Sequence, residues 1–210
     1  MKKLAIIGSG DLGQLIAHHA LTDKQYKLAG FFDDYKSKGD IVGIGSVIGK
    51  VDDVQNAFRN GTFDCLMIGV GYNHPDFRKK CFDAFFPNIP FGTFIHSSCY
   101  VDASARVAEG AFLLPGCVLD SGVIIEENAL LNTGCTVAHD TIIGRHSFLG
   151  PGVILAGFIT IGEGCFIGVG TTVIDNISIA PQVQTGGGAV VTRDLLEAGL
   201  YVGIPASKIR

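Results

Sequence analysis

The feature that most constrains this chain is a six-residue period running from Ile95 to Val191. Stepping by six from Ile95 gives Val101, Val107, Leu113, Leu119, Ile125, Leu131, Val137, Ile143, Leu149, Leu155, Ile161, Ile167, Val173 and Ile179, all aliphatic. The next two steps give Thr185 and Val191. Two residues before each rung the choice is also narrow, with Cys99, Ala105, Ala111, Cys117, Ala129, Cys135, Thr141, Ser147 and Cys165 among them. A restricted, mostly small residue, a gap and a large aliphatic, repeated every six, is the pattern of a parallel β-helix. Side chains alternate along a strand, so both positions of each pair point inward. One six-residue unit makes one flat side, and three sides close a triangular coil of eighteen. Residues eighteen apart then stack, and the stretch holds five coils and part of a sixth. Such a solenoid needs caps on its open ends. Six-fold spacing leaves its handedness open.

The repeat also accounts for most of the cysteines. Cys99, Cys117, Cys135 and Cys165 fall on the small inward position, where a free thiol packs as a small hydrophobe. Cys65 falls in an expected strand and Cys81 in an expected helix, and no CxxC pair occurs, which argues against structural zinc or any other metal. A formal net charge of −4, with no basic run, argues against nucleic acid. No apolar run approaches the roughly 20 residues that span a bilayer, which argues against membrane insertion. Met1-Lys2-Lys3 leads into four apolar residues before Gly8, too few for a signal-peptide core, so a cytoplasmic protein is expected.

The first 90 residues have another rhythm. Leu4 to Ile7 reads as a buried strand, Gln14 to Leu21 as a helix, Lys27 to Phe32 as a second strand and Val51 to Arg59 as helical. Cys65 to Val70 reads as a third strand and Asp76 to Phe86 as a helix. Alternation of this kind implies a small, Rossmann-like α/β domain with a parallel sheet over 1–90. Pro87 and Pro90 mark its boundary with a β-helix domain and C-terminal cap over 91–210. Between the first strand and helix lies Gly8-Ser9-Gly10-Asp11-Leu12-Gly13, and Asp33 follows twenty positions beyond Gly13. That spacing matches a dinucleotide fingerprint, in which glycines let the backbone approach a phosphate at a helix N-terminus. With three strands expected, half of a dinucleotide fold is missing, so a single nucleotide or a nucleotide-linked molecule fits better. A tight turn with no ligand remains the plain alternative.

In a repeat, the informative residues are the polar ones the scaffold does not require. His139-Asp140 follows Val137 at a corner, and Gly157 lies eighteen residues on, one coil above. A base beside an approachable amide suits acyl transfer, with the imidazole taking a proton and the N–H holding an oxyanion. Asp140 would favour the protonated imidazole. The competing reading is a solvated corner histidine. His96 and His146 share it more strongly, and His18-His19 belong to a helix surface.

The motifs together resemble the hexapeptide-repeat acyltransferases that acetylate nucleotide-linked 4-amino-sugars, relatives of sialic acid O-acetyltransferases. The resemblance rests on the Gly8–Gly13 motif, Phe32-Asp33-Asp34, Ile68-Gly69-Val70-Gly71 with Asn73, Leu131-Asn132-Thr133-Gly134, Val137-Ala138-His139-Asp140, Leu155-Ala156-Gly157 and the ending Val202-Gly203-Ile204-Pro205-Ala206. It implies a left-handed β-helix, a homotrimer with active sites between subunits, and acetyl-CoA as co-substrate. It makes His139 the general base and Asp140 its tuning acid. Gly10, Asp11, Leu12, Asp33, Asp34 and Gly71 would touch the nucleotide-sugar, and Asn132 would line the sugar pocket. Gly157, Val169 and Gly187 would meet acetyl-CoA through their backbones. Phe148 stands where a relative has a CoA-contacting histidine, with His146 two residues earlier. The implied chemistry is direct attack of a sugar amine on the thioester. Two other functions compete: O-acetylation of a sugar such as sialic acid, and a non-catalytic NAD-binding or scaffold role.

Overall fold

The computed structural model describes all 210 residues, which divide into two compact units, Met1–Phe94 and Ile95–Arg210. In the first unit β1 (Lys2–Ile7) leads into α1 (Asp11–Thr22) and β2 (Tyr26–Phe32). Next come β3 (Ile41–Val42), β4 (Gly45–Gly49), a 3-10 turn at Val51–Asp53, α2 (Val54–Arg59), β5 (Cys65–Ile68) and α3 (Pro75–Phe85). The sheet order is β3-β4-β2-β1-β5. Strands β2, β1, β5 and β4 run parallel, and β3 turns back antiparallel on β4.

The expectation of three strands is corrected here: the sheet has five. Residues 41–49 lack the apolar run of a buried strand, since Ile41 is 79% exposed and three glycines interrupt them. They pair because Gly43 adopts φ 51° at the tight turn, a backbone conformation in which glycine carries no penalty. The core of this unit is Ala5, Ile7, Phe32, Val54, Phe63, Leu66, Ile68 and Phe82, closed by ring contacts such as Phe82–Phe91 at 4.4 Å. The third glycine of the motif has a packing task. A Cβ on Gly13 would run into the Gly8 carbonyl, and one on Gly69 would lie 2.6 Å from the Gly13 Cα, so β1, α1 and the end of β5 close tightly only without side chains there.

The second unit is a three-sided parallel coil, as the six-residue period requires. Two-residue strands stack eighteen apart on each side. Thr136–Val137 pairs in register with Val118–Leu119 below and Ile154–Leu155 above on the first face. Ile142–Ile143 does the same with Ile124–Ile125 and Thr160–Ile161 on the second. Phe148–Leu149 stacks between Leu130–Leu131 and Phe166–Ile167 on the third. The rungs from Leu113 to Val191 are buried without a break. Thr185, the polar exception, is 1% exposed, and its hydroxyl accepts the Gly168 N–H at 2.9 Å and meets the Thr171 hydroxyl at 2.9 Å. Cys117, Cys135 and Cys165 are buried and Cys99 is partly buried, all as free thiols. Burial pushes the Cys165 thiol up to about 11, which keeps it protonated and inert. Gly199–Val202 extends the third face in parallel, and Ser207–Lys208 closes it antiparallel, which forms the C-terminal cap. No helix is long and apolar enough to cross a membrane.

The corners carry a second period of six. Residues 110, 116, 122 and so on to 188 all have positive φ: eight are glycine, and the others are Asn128, Asp140, His146, Phe158, Asn176 and Gln182. Asparagine and aspartate tolerate this conformation through local hydrogen bonds, whereas a bulky side chain is strained there.

Candidate active site

His139 sits at the corner between the first and second faces, in the connection from Thr136–Val137 to Ile142–Ile143. Its Nδ1 lies 3.0 Å from the Asp140 Oδ2. A carboxylate only accepts, so Nδ1 carries the proton and Nε2 is left as the basic nitrogen. Asp140 reaches its neighbour from a left-handed backbone, φ 53°, anchored by its N–H to the Ser121 carbonyl at 2.9 Å. The corner is braced from inside by Thr141, fully buried, whose hydroxyl donates to the Ala156 carbonyl at 3.1 Å and accepts the Ile159 N–H at 3.3 Å.

The structure places Gly157 directly over the imidazole. A Cβ on Gly157 would lie 2.6 Å from His139 Cε1 and 2.7 Å from Nε2, so only glycine leaves room for the ring. The Gly157 carbonyl accepts the Asn176 N–H at 3.0 Å, while its own N–H donates to no group of the protein. The adjoining Phe158 N–H is tied to the His139 carbonyl at 3.1 Å. The Phe158 ring stands edge-on to the imidazole, with centroids 5.0 Å apart at 87°. Sequence reasoning missed Thr141 and Phe158.

Asn132, Val169 and Gly187 occupy a different corner, between the third and first faces. Within one chain they form no cluster with His139, because a whole face of the prism intervenes. This second corner is glycine-rich. A Cβ on Gly134, Gly152, Gly170 or Gly188 would meet nothing within 4 Å, so the backbone lies open to a ligand. Val169 is 56% exposed beside them. Such a surface fits an extended chain that hydrogen-bonds through backbone groups, as the arm of a coenzyme would. Phe148 lies on the third face, stacked on Phe166 at 5.4 Å and 17°, so the position that the resemblance sets against a coenzyme-contacting histidine is part of an aromatic ladder.

In the α/β unit a cavity of about 330 Å³ opens beyond the C-terminal ends of β1, β2 and β5. Ligands collect there in open parallel sheets, because the loops leave the central strand in opposite directions. Asp33 and Asp34 line it, with Phe32, Tyr35, Val51, Val70, His74 and Phe77. Gly10, Asp11, Leu12 and Gly71 lie outside the lining, in the glycine turn, at the start of α1 and after β5. Tyr35, His74 and Phe77 were missed by sequence reading, as was Lys36. The Lys36 Nζ donates to Ser9 Oγ at 2.7 Å, and the Ser9 hydroxyl donates to Asp33 Oδ2. The ammonium therefore stands beside the glycine turn at the positive end of α1, an arrangement suited to phosphate.

Both aspartates already hold the loop. Asp33 accepts the Ser9 N–H at 3.1 Å and the Tyr35 N–H at 2.9 Å, and Asp34 accepts the Val51 N–H at 2.9 Å. Burial pushes the Asp33 carboxyl up, but the bonds from Ser9 and Tyr35 and the Lys36 charge together hold it below the usual carboxylate range. Arg78 on α3 is buried and its guanidinium donates to the Ile68 carbonyl at 2.6 Å, which ties the helix to the C-terminal end of β5. Burial lowers it only to about 10, so it stays charged at neutral pH.

Comparison with known proteins follows this division. Residues 3–85 match the family model of the PglD N-terminal domain, and residues 122–157 match that of the bacterial transferase hexapeptide repeat. The acetyltransferase domain of PglB from Neisseria gonorrhoeae is similar over 100% of both chains, at 27% identity and a TM-score of 0.90. That domain in complex with acetyl coenzyme A matches over 99% of both chains, at 26% identity and a TM-score of 0.88. A His-to-Asn mutant of perosamine N-acetyltransferase from Caulobacter crescentus, in complex with CoA and GDP-perosamine, is 28% identical, with a TM-score of 0.89 over 100% of this chain and 98% of that one. A comparison with curated proteins finds no match. The fold shared with these proteins is a Rossmann-like domain followed by a left-handed parallel β-helix, as the motifs implied.

Proposed function

We propose that this chain, a hexapeptide-repeat acyltransferase with a PglD-type N-terminal domain, moves the acetyl group of acetyl-CoA onto the 4-amino group of a nucleotide-linked amino-deoxy sugar for surface glycan or glycoprotein biosynthesis in the cytoplasm. The observation that carries this reading is the His139 corner. A histidine oriented by Asp140 at 3.0 Å, with its Nε2 hydrogen-bonded to no protein group and an unbonded Gly157 N–H on the adjoining coil, supplies a base and an oxyanion donor in one place.

The sugar amine attacks the thioester carbon, and its N–H proton passes to His139 Nε2. The carbonyl electron pair moves to oxygen, which the Gly157 N–H holds. Collapse then breaks the C–S bond, and the imidazolium returns its proton to the departing sulfur. Asp140 keeps the Nδ1–H tautomer and stabilises the cationic ring. No covalent acyl-enzyme is needed.

Three chains would form a homotrimer in which the His139 corner of one copy faces the glycine corner of the next. Gly157, Val169, Gly187 and Phe148 would then bind acetyl-CoA, with Asn132 against the sugar. The nucleotide would sit in the cavity bounded by Asp33 and Asp34, its diphosphate towards Gly10, Asp11, Leu12, Lys36 and Gly71. That cavity favours a nucleotide-linked acceptor over a free sugar such as sialic acid, which needs no such site. Support also comes from relatives: perosamine N-acetyltransferase variants with one histidine changed to Asn or Ala were solved with CoA and GDP-perosamine.

The test is CoA-thiol release with GDP-, UDP-, dTDP- and CMP-linked 4-amino-sugars and with free sialic acid, for the parent and His139→Ala. Turnover should occur with one nucleotide-linked amine and fall about 10²–10⁴-fold in the variant. Turnover only with sialic acid would defeat the substrate assignment, and a fully active His139→Ala trimer would defeat the base.

A further inference from the structure

We propose that Phe158 is a positioning residue for His139, holding the imidazole in its working orientation; this rests on the reading of His139 as the base. Fourteen corner positions share the left-handed backbone, and the chain fills most of them with glycine, asparagine or aspartate. Phe158, at φ 58°, departs furthest from that pattern, since a bulky apolar side chain gains nothing there from local hydrogen bonds. Strain of this kind persists where surrounding structure or function requires it. His146 at φ 61° has a packing reason, being 8% exposed with Nδ1 2.9 Å from the Asn128 Nδ2. Phe158 has no such reason within the chain: it is 56% exposed and stays out of the prism core.

Its contact is instead with the base. The two rings meet edge-to-face at 5.0 Å and 87°, a preferred geometry for aromatic pairs. Asp140 fixes the Nδ1 side of the imidazole, and Gly157 lies against Cε1 and Nε2. Phe158 closes another side, so the ring is limited in how far it can swing about its side-chain torsions. The strained backbone is what brings the benzyl group round to that side. The same ring makes the wall beside the base apolar, which disfavours water as a competing partner.

The inference is tested with Phe158→Asn, which suits the left-handed backbone but removes the ring, and Phe158→Tyr, which keeps the ring. Steady-state kinetics, melting temperature and oligomeric state are measured beside His139→Ala. For Phe158→Asn we expect kcat at least tenfold down, KM for acetyl-CoA within twofold of the parent, and a melting temperature and assembly equal to the parent's or better. Phe158→Tyr should recover kcat to within about threefold. The proposal is overturned if Phe158→Asn keeps kcat, if its loss of kcat comes with a matching loss of stability or assembly, or if Phe158→Tyr is as impaired as Phe158→Asn. An active His139→Ala would remove the base and this proposal together. An inactive His139→Ala beside a fully active Phe158→Asn would remove this proposal alone.

Discussion

The two units build sites in opposite ways. In the α/β unit the site is a consequence of topology: parallel strands end on one side, and whatever loops leave them become the lining. Phe32, Val51, Val70 and Phe77 come from four separate stretches, and no spacing rule links them. In the solenoid each side chain has a stacking partner eighteen residues away, so the scaffold is fixed by arithmetic and the site is a set of departures from it. The difference shows what each kind of fold constrains. A repeat specifies its interior strictly and leaves its corners free; a small α/β sheet specifies its glycine turn and leaves its cavity walls free.

The largest effect that would test this contrast is in the prism core. Leu149 is fully buried, stacked between Leu131 and Ile167. Leu149→Ala should cost about 2–5 kcal/mol, since a coil held by backbone bonds above and below has little room to collapse around the cavity. Denaturant unfolding would register this as a lower midpoint with an unchanged slope. A cost below about 1 kcal/mol would mean that the rungs are loosely specified, and the contrast between strict interior and free corner would fail.

Gly157→Ala comes next, and it separates corner from core. The added methyl would meet His139 rather than any backbone, so the imidazole must swing away. A displacement of about 1 Å at a reacting group costs about 10²-fold in rate. Activity should therefore fall by that order while stability changes by less than about 0.5 kcal/mol, as at surface sites. If Gly157→Ala instead unfolds the protein and leaves the residual specific activity intact, the glycine serves the coil and has no part in the site.

Legibility in the sequence follows the same contrast. The period of six placed every rung from Leu113 to Val191 and put Gly157 over His139, because stacking transmits sequence spacing directly into contact. The strand pair at Ile41–Val42 and Gly45–Gly49 stayed hidden, because β3 is an exposed two-residue edge strand and β4 is short and bounded by glycines at both ends. Tyr35, His74 and Phe77 were equally silent, being loop or helix-start residues brought to the cavity by tertiary structure alone. Phe158 was legible in principle. Counting by six through the corner glycines from Gly110 reaches a phenylalanine where the backbone disfavours one.

The smallest effect belongs to the α/β unit, and it tests whether topology alone gave that cavity its chemistry. Asp33 accepts from Ser9 and Tyr35 within the loop and also lines the cavity, so one substitution there probes loop and cavity together. Its carboxyl titrates lower in the folded protein than in the unfolded chain, where the ordinary value is about 3.9. The stabilising contribution is thus complete above that unfolded value and is lost as pH falls through the lower folded one. Asp33→Asn should melt slightly below the parent at pH 7, and the gap should narrow in acid below about pH 4. Its KM for the nucleotide-sugar should rise about tenfold, the scale of one hydrogen bond to a charged group, while KM for acetyl-CoA stays unchanged. A gap that widens in acid would reverse the sign of the linkage. An unchanged nucleotide KM would leave Asp33 a loop clamp, and the cavity would owe its selectivity to its aromatic walls.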